Sequence, residues 1–111
     1  KMLTGMFENV KGRKIILFGA GMMMEDYMKK WGNRYRPDFL VDNDENKWDR
    51  QRFGIPIKSP EEILKIPEGK RRLIICSFYY KEIQKQLEQM GIHDYCVYVQ
   101  HVEWIVKSEE S

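Results

Sequence analysis

An α/β domain built on a parallel sheet is the fold class this sequence predicts, and three observations predict it. Two long apolar runs, "KIILF" at Lys14–Phe18 and "RRLIICSF" starting at Arg71, show no polar alternation, as expected of strands buried on both faces. Each is followed by apolar groups at helical spacing: Met24, Tyr27, Met28 and Trp31 after the first, and Ile83, Leu87 and Met90 after the second. The first run ends in Gly19-Ala20-Gly21, a turn that lets a strand pass directly into a helix.

The remaining elements follow in order. Leu3, Met6, Phe7 and Val10 lie at i, i+3, i+4 and i+7, so residues 1–12 are expected as a leading amphipathic helix. After the Lys14–Phe18 strand, a helix starts at Met22 and stops near Gly32-Asn33. "RPDFLVDND" reads as a second strand, with Pro37 as its first residue and Asp42-Asn43-Asp44 as turn formers at its end. Glu45 to Phe53 is polar apart from Trp48 and reads as a loop. "GIPI" is a very short strand that Pro56 confines to a sheet edge or an irregular position, because proline has no N–H to donate.

"SPEE" predicts a capped helix with Ser59 as N-cap, Pro60 at the first helical position and Glu62 closing a capping box. Ile63, Leu64 and Ile66 supply its apolar side, and Pro67 and Gly69 end it. The strand from Arg71 then leads into the helix "YYKEIQKQLEQMG", which ends at Gly91, the residue type best able to take a left-handed cap. "DYCVYV" is the last strand, and Val102, Ile105 and Val106 mark a final helical turn. This alternation predicts a three-layer, Rossmann-like doubly wound parallel sheet of strand order 3-2-1-4-5.

At 111 residues the chain is expected to form one domain, with residues 14–100 as core and 101–111 as a helical turn and tail. That is too little for a cofactor domain plus a substrate domain. The opening Lys1-Met2 and the polar ending "KSEES" also fit a segment of a longer protein. Lys and Arg number 19 against 17 Asp and Glu, mixed along the chain. The short basic clusters at Lys47 to Arg52 and Lys70 to Arg72 are therefore read as solvated surface, and no nucleic-acid partner is expected. Cys76 and Cys96 lie inside apolar runs without a CxxC or Cys/His spacing, which fits buried, reduced thiols in a cytoplasmic protein. No signal peptide is visible and no apolar run approaches the roughly 20 residues that a membrane span needs, so no membrane insertion is expected.

Ligands of open parallel sheets bind beyond the carboxyl ends of the strands, where the strand order reverses. Here that point would lie between the Lys14–Phe18 and Leu73–Cys76 strands. It gathers Gly19, Ala20, Gly21 and Met22, then Asp42 and Asn43, and finally Ser77, Phe78 and Tyr79. Gly19 permits a tight turn, Gly21 lets a phosphate approach the backbone, and the helix starting at Met22 offers free N–H groups and a positive dipole end. Asp42 stands 21 residues after Gly21, near the spacing of about 20 at which a carboxylate takes a ribose diol. Such a carboxylate disfavours a 2′-phosphate by charge repulsion.

Met24 occupies the place of a third glycine in this pattern. It either displaces the helix, fills the cleft, or points elsewhere, so a working nucleotide site and a scaffold that keeps only the turn both stay open. His93 falls at a helix-to-strand turn on the far end of the sheet and reads as a surface or capping group; His101 is on the ligand side without an identifiable partner. Cys76 reads as a small buried hydrophobe rather than a nucleophile. Trp48 and Phe53 read as anchors that close a long loop onto the core, with a lid over a base as the alternative. No catalytic set and no metal-ligand spacing is present.

The stretches "ILFGAG", "FLVDNDENKW" with "FGIPIKSPEEIL", and "LIICSFYYKEIQKQLEQMGI" resemble the Rossmann-like modules of bacterial cell-surface polysaccharide biosynthesis proteins. The likeness is to domains found ahead of sugar-nucleotide dehydratases and sugar acetyltransferases, and to modules attached to glycosyltransferases and methyltransferases. It implies a pocket for NAD or a nucleoside-diphosphate sugar at Gly19 and Gly21, with Asp42 on a ribose and Ser77 and Tyr79 near a phosphate or sugar. The chain lacks a Tyr-x-x-x-Lys pair, a left-handed β-helix repeat and a methyltransferase segment. Binding without catalysis is therefore expected, with the rest of a longer parent chain or a second copy as partner. The competing expectation is a degenerate scaffold used for protein interaction or dimerisation.

Overall fold

A computed structural model describes residues 5–98. The expected elements at Leu3, Val102, Ile105 and Val106, the tail 101–111 and His101 lie outside the described residues. The strands are β1 (Lys14–Phe18), β2 (Phe39–Val41), β3 (Gln51–Arg52), β4 (Ile55–Lys58), β5 (Arg71–Ile75) and β6 (Tyr95–Val97). The α-helices are α1 (Met22–Trp31) and α2 (Tyr80–Gln89). Three 3-10 turns stand at Glu45–Lys47, Pro60–Lys65 and Glu68–Lys70.

The strands form one six-stranded mixed sheet in the order β3-β4-β2-β1-β5-β6. Four of the pairings are parallel, and β3 pairs with β4 antiparallel. This corrects the expected three-layer, all-parallel Rossmann-like sheet of order 3-2-1-4-5. The physical reason is a two-residue turn at Phe53-Gly54, where both φ values are positive (55° and 75°), as the tightest hairpins require. The turn folds Gln51-Arg52 back on Ile55-Pro56. No α-helix joins β2 to β4 or β4 to β5; the first connection holds a 3-10 turn and β3, the second two 3-10 turns.

Further expectations are corrected with it. The Glu45 to Phe53 loop contains both a 3-10 turn and β3. Of the two placements expected for Pro56, the sheet edge is excluded, since β4 lies between β3 and β2. Pro56 is tolerated because Ile57 turns its N–H toward Arg50 O (2.9 Å), so position 56 faces β2, and pairing with β2 begins only at Ile57. The Ser59 capping box does not form: Ser59 makes no side-chain cap and Glu62 pairs with Lys65 at 2.9 Å instead. With Pro60 and Pro67 bracketing it, this segment stays a 3-10 turn. The Arg36–Asp44 and Arg71–Phe78 runs contribute shorter strands than expected, β2 and β5.

The sheet core follows the alternation that strands impose. Ile15, Leu17, Leu40 and Ile74 face one side, where Met23, Met24 and Tyr27 of α1 cover them. Ile16, Phe18, Phe39, Val41, Leu73 and Ile75 face the other, against Ile63, Ile83 and Leu87. Within the leading segment only Gly5 and Met6 are helical among the described residues; Met6 is buried, and Phe7 stacks on Tyr35 at a centroid distance of 3.7 Å. Arg72 holds this segment by donating to the carbonyls of Gly5, Met6 and Glu8. Gly91 takes the left-handed conformation (φ 80°) just past α2. Among the described residues no helix is long and apolar enough to cross a membrane.

Phe53 is half-exposed and held in a conformation that costs an L-residue with a bulky side chain about 1–2 kcal/mol. Phe53→Asn, which tolerates positive φ, is expected to raise stability by about 0.5–1 kcal/mol in urea unfolding. A fall in stability would show that the ring, not the turn, matters at this position.

Candidate functional site

A cavity of about 360 Å³ opens beyond the carboxyl ends of β1 and β5. Its position follows from the connections there. β1 passes into α1 through Gly19-Ala20-Gly21, β2 ends in the Asp42-Asn43-Asp44 turn, and β5 passes into α2 through Cys76–Tyr79. The residues expected at the site, Gly19, Ala20, Gly21, Met22, Asp42, Asn43, Ser77 and Tyr79, all line it, and so does Phe78. Met24 does not, because its side chain is fully buried among the α1 face of the core. Met22 and Met23 reach the cavity instead.

The two flanking glycines have different jobs. Gly19 has φ 126°, and a Cβ there would lie 2.1 Å from the carbonyl oxygen of Cys76. Its N–H donates to Val41 O at 2.7 Å, so the first turn residue is locked between the ends of β2 and β5. Gly21 has an ordinary negative φ of −121°, and a Cβ there would meet nothing within 4 Å. The open space beside Gly21 belongs to the cavity.

Asp42 holds the turn in place. Its Oδ2 accepts the Ala20 N–H at 2.9 Å and its Oδ1 accepts the Asp44 N–H at 2.9 Å. Lys47 Nζ stands 3.7 Å from the same Oδ2. The expected ribose carboxylate is thus already a clasp between the β2 turn and the glycine turn, with only part of its accepting capacity open. Trp48 donates its indole N–H to the Asp42 carbonyl at 2.7 Å and packs on the core, the anchor rather than the lid. Phe53 lies away from this cavity, beside α1 and Arg36.

The helix starts supply the positive character. Neither α1 nor α2 carries a side-chain cap, so first-turn N–H groups of both are left without a capping side chain at the cavity wall. Ser77 Oγ accepts the Tyr79 N–H at 3.0 Å, leaving its own hydroxyl proton to donate. Asp42 and Glu82 are the acidic groups of the lining and Lys47 its basic one. Met22, Phe78 and Tyr79 are more than three-fifths exposed at the rim and give the opening an apolar edge.

Several lining residues escaped sequence reasoning. Glu82, Ile83 and Gln86 follow Tyr79 at i+3, i+4 and i+7, so the helical spacing that marked the core also marked a cavity-facing stripe. Lys47 carries no such signal; the Asp44 turn, whose Oδ1 accepts the Asn46 N–H at 3.0 Å, brings it back toward Asp42. Arg52 of β3 donates to Ala20 O at 3.1 Å and pairs with Glu25 of α1. Ala20 is therefore held at its N–H by Asp42 and at its carbonyl by Arg52 of β3, within the segment the sequence predicts as loop.

The thiols are not nucleophiles here. Cys76 is buried, and burial pushes its pKa well above the ordinary value. Burial raises Cys96 to about 11, against a partial lowering by Arg72. His93 stays exposed at the amino end of β6, 2.5 Å from Glu88, far from the glycine turn in the sheet. Glu88 is held below the usual range, first by the hydrogen bond from Tyr95.

A family model described as C2185-like, N-terminal, matches residues 11–98. The chain belongs to the C2185-like N-terminal domain family. The C2185-like segment runs from just before β1 to just after β6, so the whole sheet and every cavity-lining residue fall within it. No curated protein matches the chain.

Two outcomes test this geometry. Gly19→Ala should abolish cooperative unfolding or destabilise by more than about 4 kcal/mol, since backbone cannot yield as a side chain can; Gly21→Ala should fold normally. Iodoacetamide at pH 8 should leave both cysteines of the native chain essentially unmodified over the time in which urea-unfolded chain reacts twice, because Cys96, raised to about 11, holds about one part in a thousand as thiolate there and the buried Cys76 is raised as well. Rapid labelling of Cys76 in the native protein would contradict its burial.

Proposed function

We propose that this domain binds a nucleotide, in the form of a nucleoside-diphosphate sugar or NAD, as a non-catalytic module of a bacterial glycan-assembly protein. The observation that carries the reading is the meeting of Gly21's open backbone and the uncapped starts of α1 and α2 at one cavity. Helix starts without a capping side chain, and their two positive dipole ends, favour an anionic group such as a phosphate. The cavity volume, about 360 Å³, is at the small end of ligand sites, which favours the nucleoside-diphosphate end of a sugar nucleotide over a whole dinucleotide. The link to glycan assembly rests on the resemblance of the three sequence stretches alone.

Two further points support binding without chemistry. The buried Cys76 thiol is held protonated, and no lining side chain pairs with a base that would activate it. Exposure of the Leu3, Met6, Phe7, Val10 face would favour the competing scaffold reading; Leu3 lies outside the described residues, and the other three are not exposed as a free stripe. Instead those three side chains pack on the domain's own core.

Gly21 is the N-cap position of α1, so Gly21→Asp supplies a carboxylate that a helix start welcomes and a phosphate does not. Thermal unfolding of the wild-type chain with UDP, UDP-sugars, NAD or NADH near 100 times Kd should add roughly 2.7 kcal/mol, a shift of several degrees. In Gly21→Asp the unliganded midpoint should hold or rise slightly while the ligand shift disappears. An undiminished shift in that variant would place the ligand elsewhere, and no shift with any nucleotide at millimolar concentration would end the proposal.

A further inference from the structure

We infer that the Asn43–Gln86 amide pair opens to receive the polar edge of a nucleobase, which makes the ligand a nucleotide with its base rather than a sugar phosphate or free diphosphate. The inference rests on the nucleotide reading above and adds the residues that set its specificity. Asn43 stands in the turn after β2 and Gln86 in the second turn of α2, and both line the cavity that contains Gly21. Asn43 Nδ2 donates to Gln86 Oε1 at 2.9 Å, and Gln86 Nε2 donates to Asn43 Oδ1 at 2.9 Å. The two amides thus form a reciprocal pair that links the β2 turn to α2.

An exposed pair of neutral hydrogen bonds contributes little net stability, because water replaces each bond at nearly equal strength. Its chemical content is different. Each amide holds one donor and one acceptor side by side in a plane, the pattern that every nucleobase presents on its pairing edge. A base can therefore displace one amide from the other and exchange two bonds for two, leaving no polar group unsatisfied. A sugar phosphate or a diphosphate has no such planar edge and gains nothing from opening the pair. Phe78 and Tyr79, exposed at the rim of the same cavity, offer faces on which the ring can stack.

Calorimetric titration of the full chain with UDP, ADP, ribose 5-phosphate and pyrophosphate tests this, with the double variant Asn43→Ala/Gln86→Ala beside the wild type. Wild type should bind at least one nucleoside diphosphate about tenfold more tightly than ribose 5-phosphate or pyrophosphate. The double variant should lose about tenfold for that nucleotide and nothing for pyrophosphate, as expected for two neutral hydrogen bonds. Its melting temperature should change little, because both side chains reach solvent. Unchanged nucleotide affinity in the double variant would overturn the inference while leaving the nucleotide reading intact, as would equal wild-type affinity for ribose 5-phosphate and nucleotides. Failure of the wild type to bind any of the four would remove the nucleotide reading and this inference with it.

Discussion

The approach of Gly19 to the carbonyl of Cys76 is the constraint on which the rest of this domain depends. β1 is the central strand, bonded to β2 on one side and β5 on the other. At its carboxyl end the chain must leave the sheet for α1 while β5 leaves beside it for α2. With 2.1 Å between an imagined Gly19 Cβ and the Cys76 oxygen, only a residue without a side chain lets both exits coexist. The cavity is the space those two exits leave between them.

Polar contacts drawn from distant parts of the chain then hold the glycine turn open. Asp42 takes the Ala20 N–H, Arg52 takes the Ala20 carbonyl, and Trp48 fixes the Asp42 carbonyl from the next turn. Each contact is modest alone, of the order of 1 kcal/mol for a neutral hydrogen bond and somewhat more with a charged partner. Their effect is geometric, because they hold the glycine turn at both the N–H and the carbonyl of Ala20. Pre-organisation of this kind lowers the ordering cost of binding.

The same arrangement accounts for the chemical character of the site. Two helix starts and Lys47 favour negative charge, while Asp42 and Glu82 restrict where an anion can sit. A thiol buried at the base of the cavity wall is inert because burial holds it neutral. These are the features on which the proposed binding of an anionic ligand rests, and the exposed Met22, Phe78 and Tyr79 side chains add an apolar rim.

The lining of the cavity by Gly19, Ala20, Gly21, Met22, Asp42, Asn43, Ser77 and Tyr79 was legible in the sequence, because each stands at the carboxyl end of a strong apolar run. The runs themselves, the helical spacing of Tyr27 and Leu87, and the left-handed cap at Gly91 were legible for the same reason: burial and backbone conformation act locally on these residue types. The mixed sheet was not. Gln51-Arg52 is polar and too short to show a period, and a Phe-Gly turn lacks the Asn-Gly signal, so β3 exists only because β4 is there to pair with it. Nor could the sequence say where Met24 points, that Asp42 bonds to Ala20 across the sheet, or that Asn43 meets Gln86, 43 positions away. The sequence by itself determined which long segments are buried and where the glycine and Asp-Asn-Asp turns fall, since those follow from hydrophobic period and local backbone freedom. Tertiary structure alone decided strand partners and the occupancy of each polar group, since those depend on which distant atoms arrive within 3 Å.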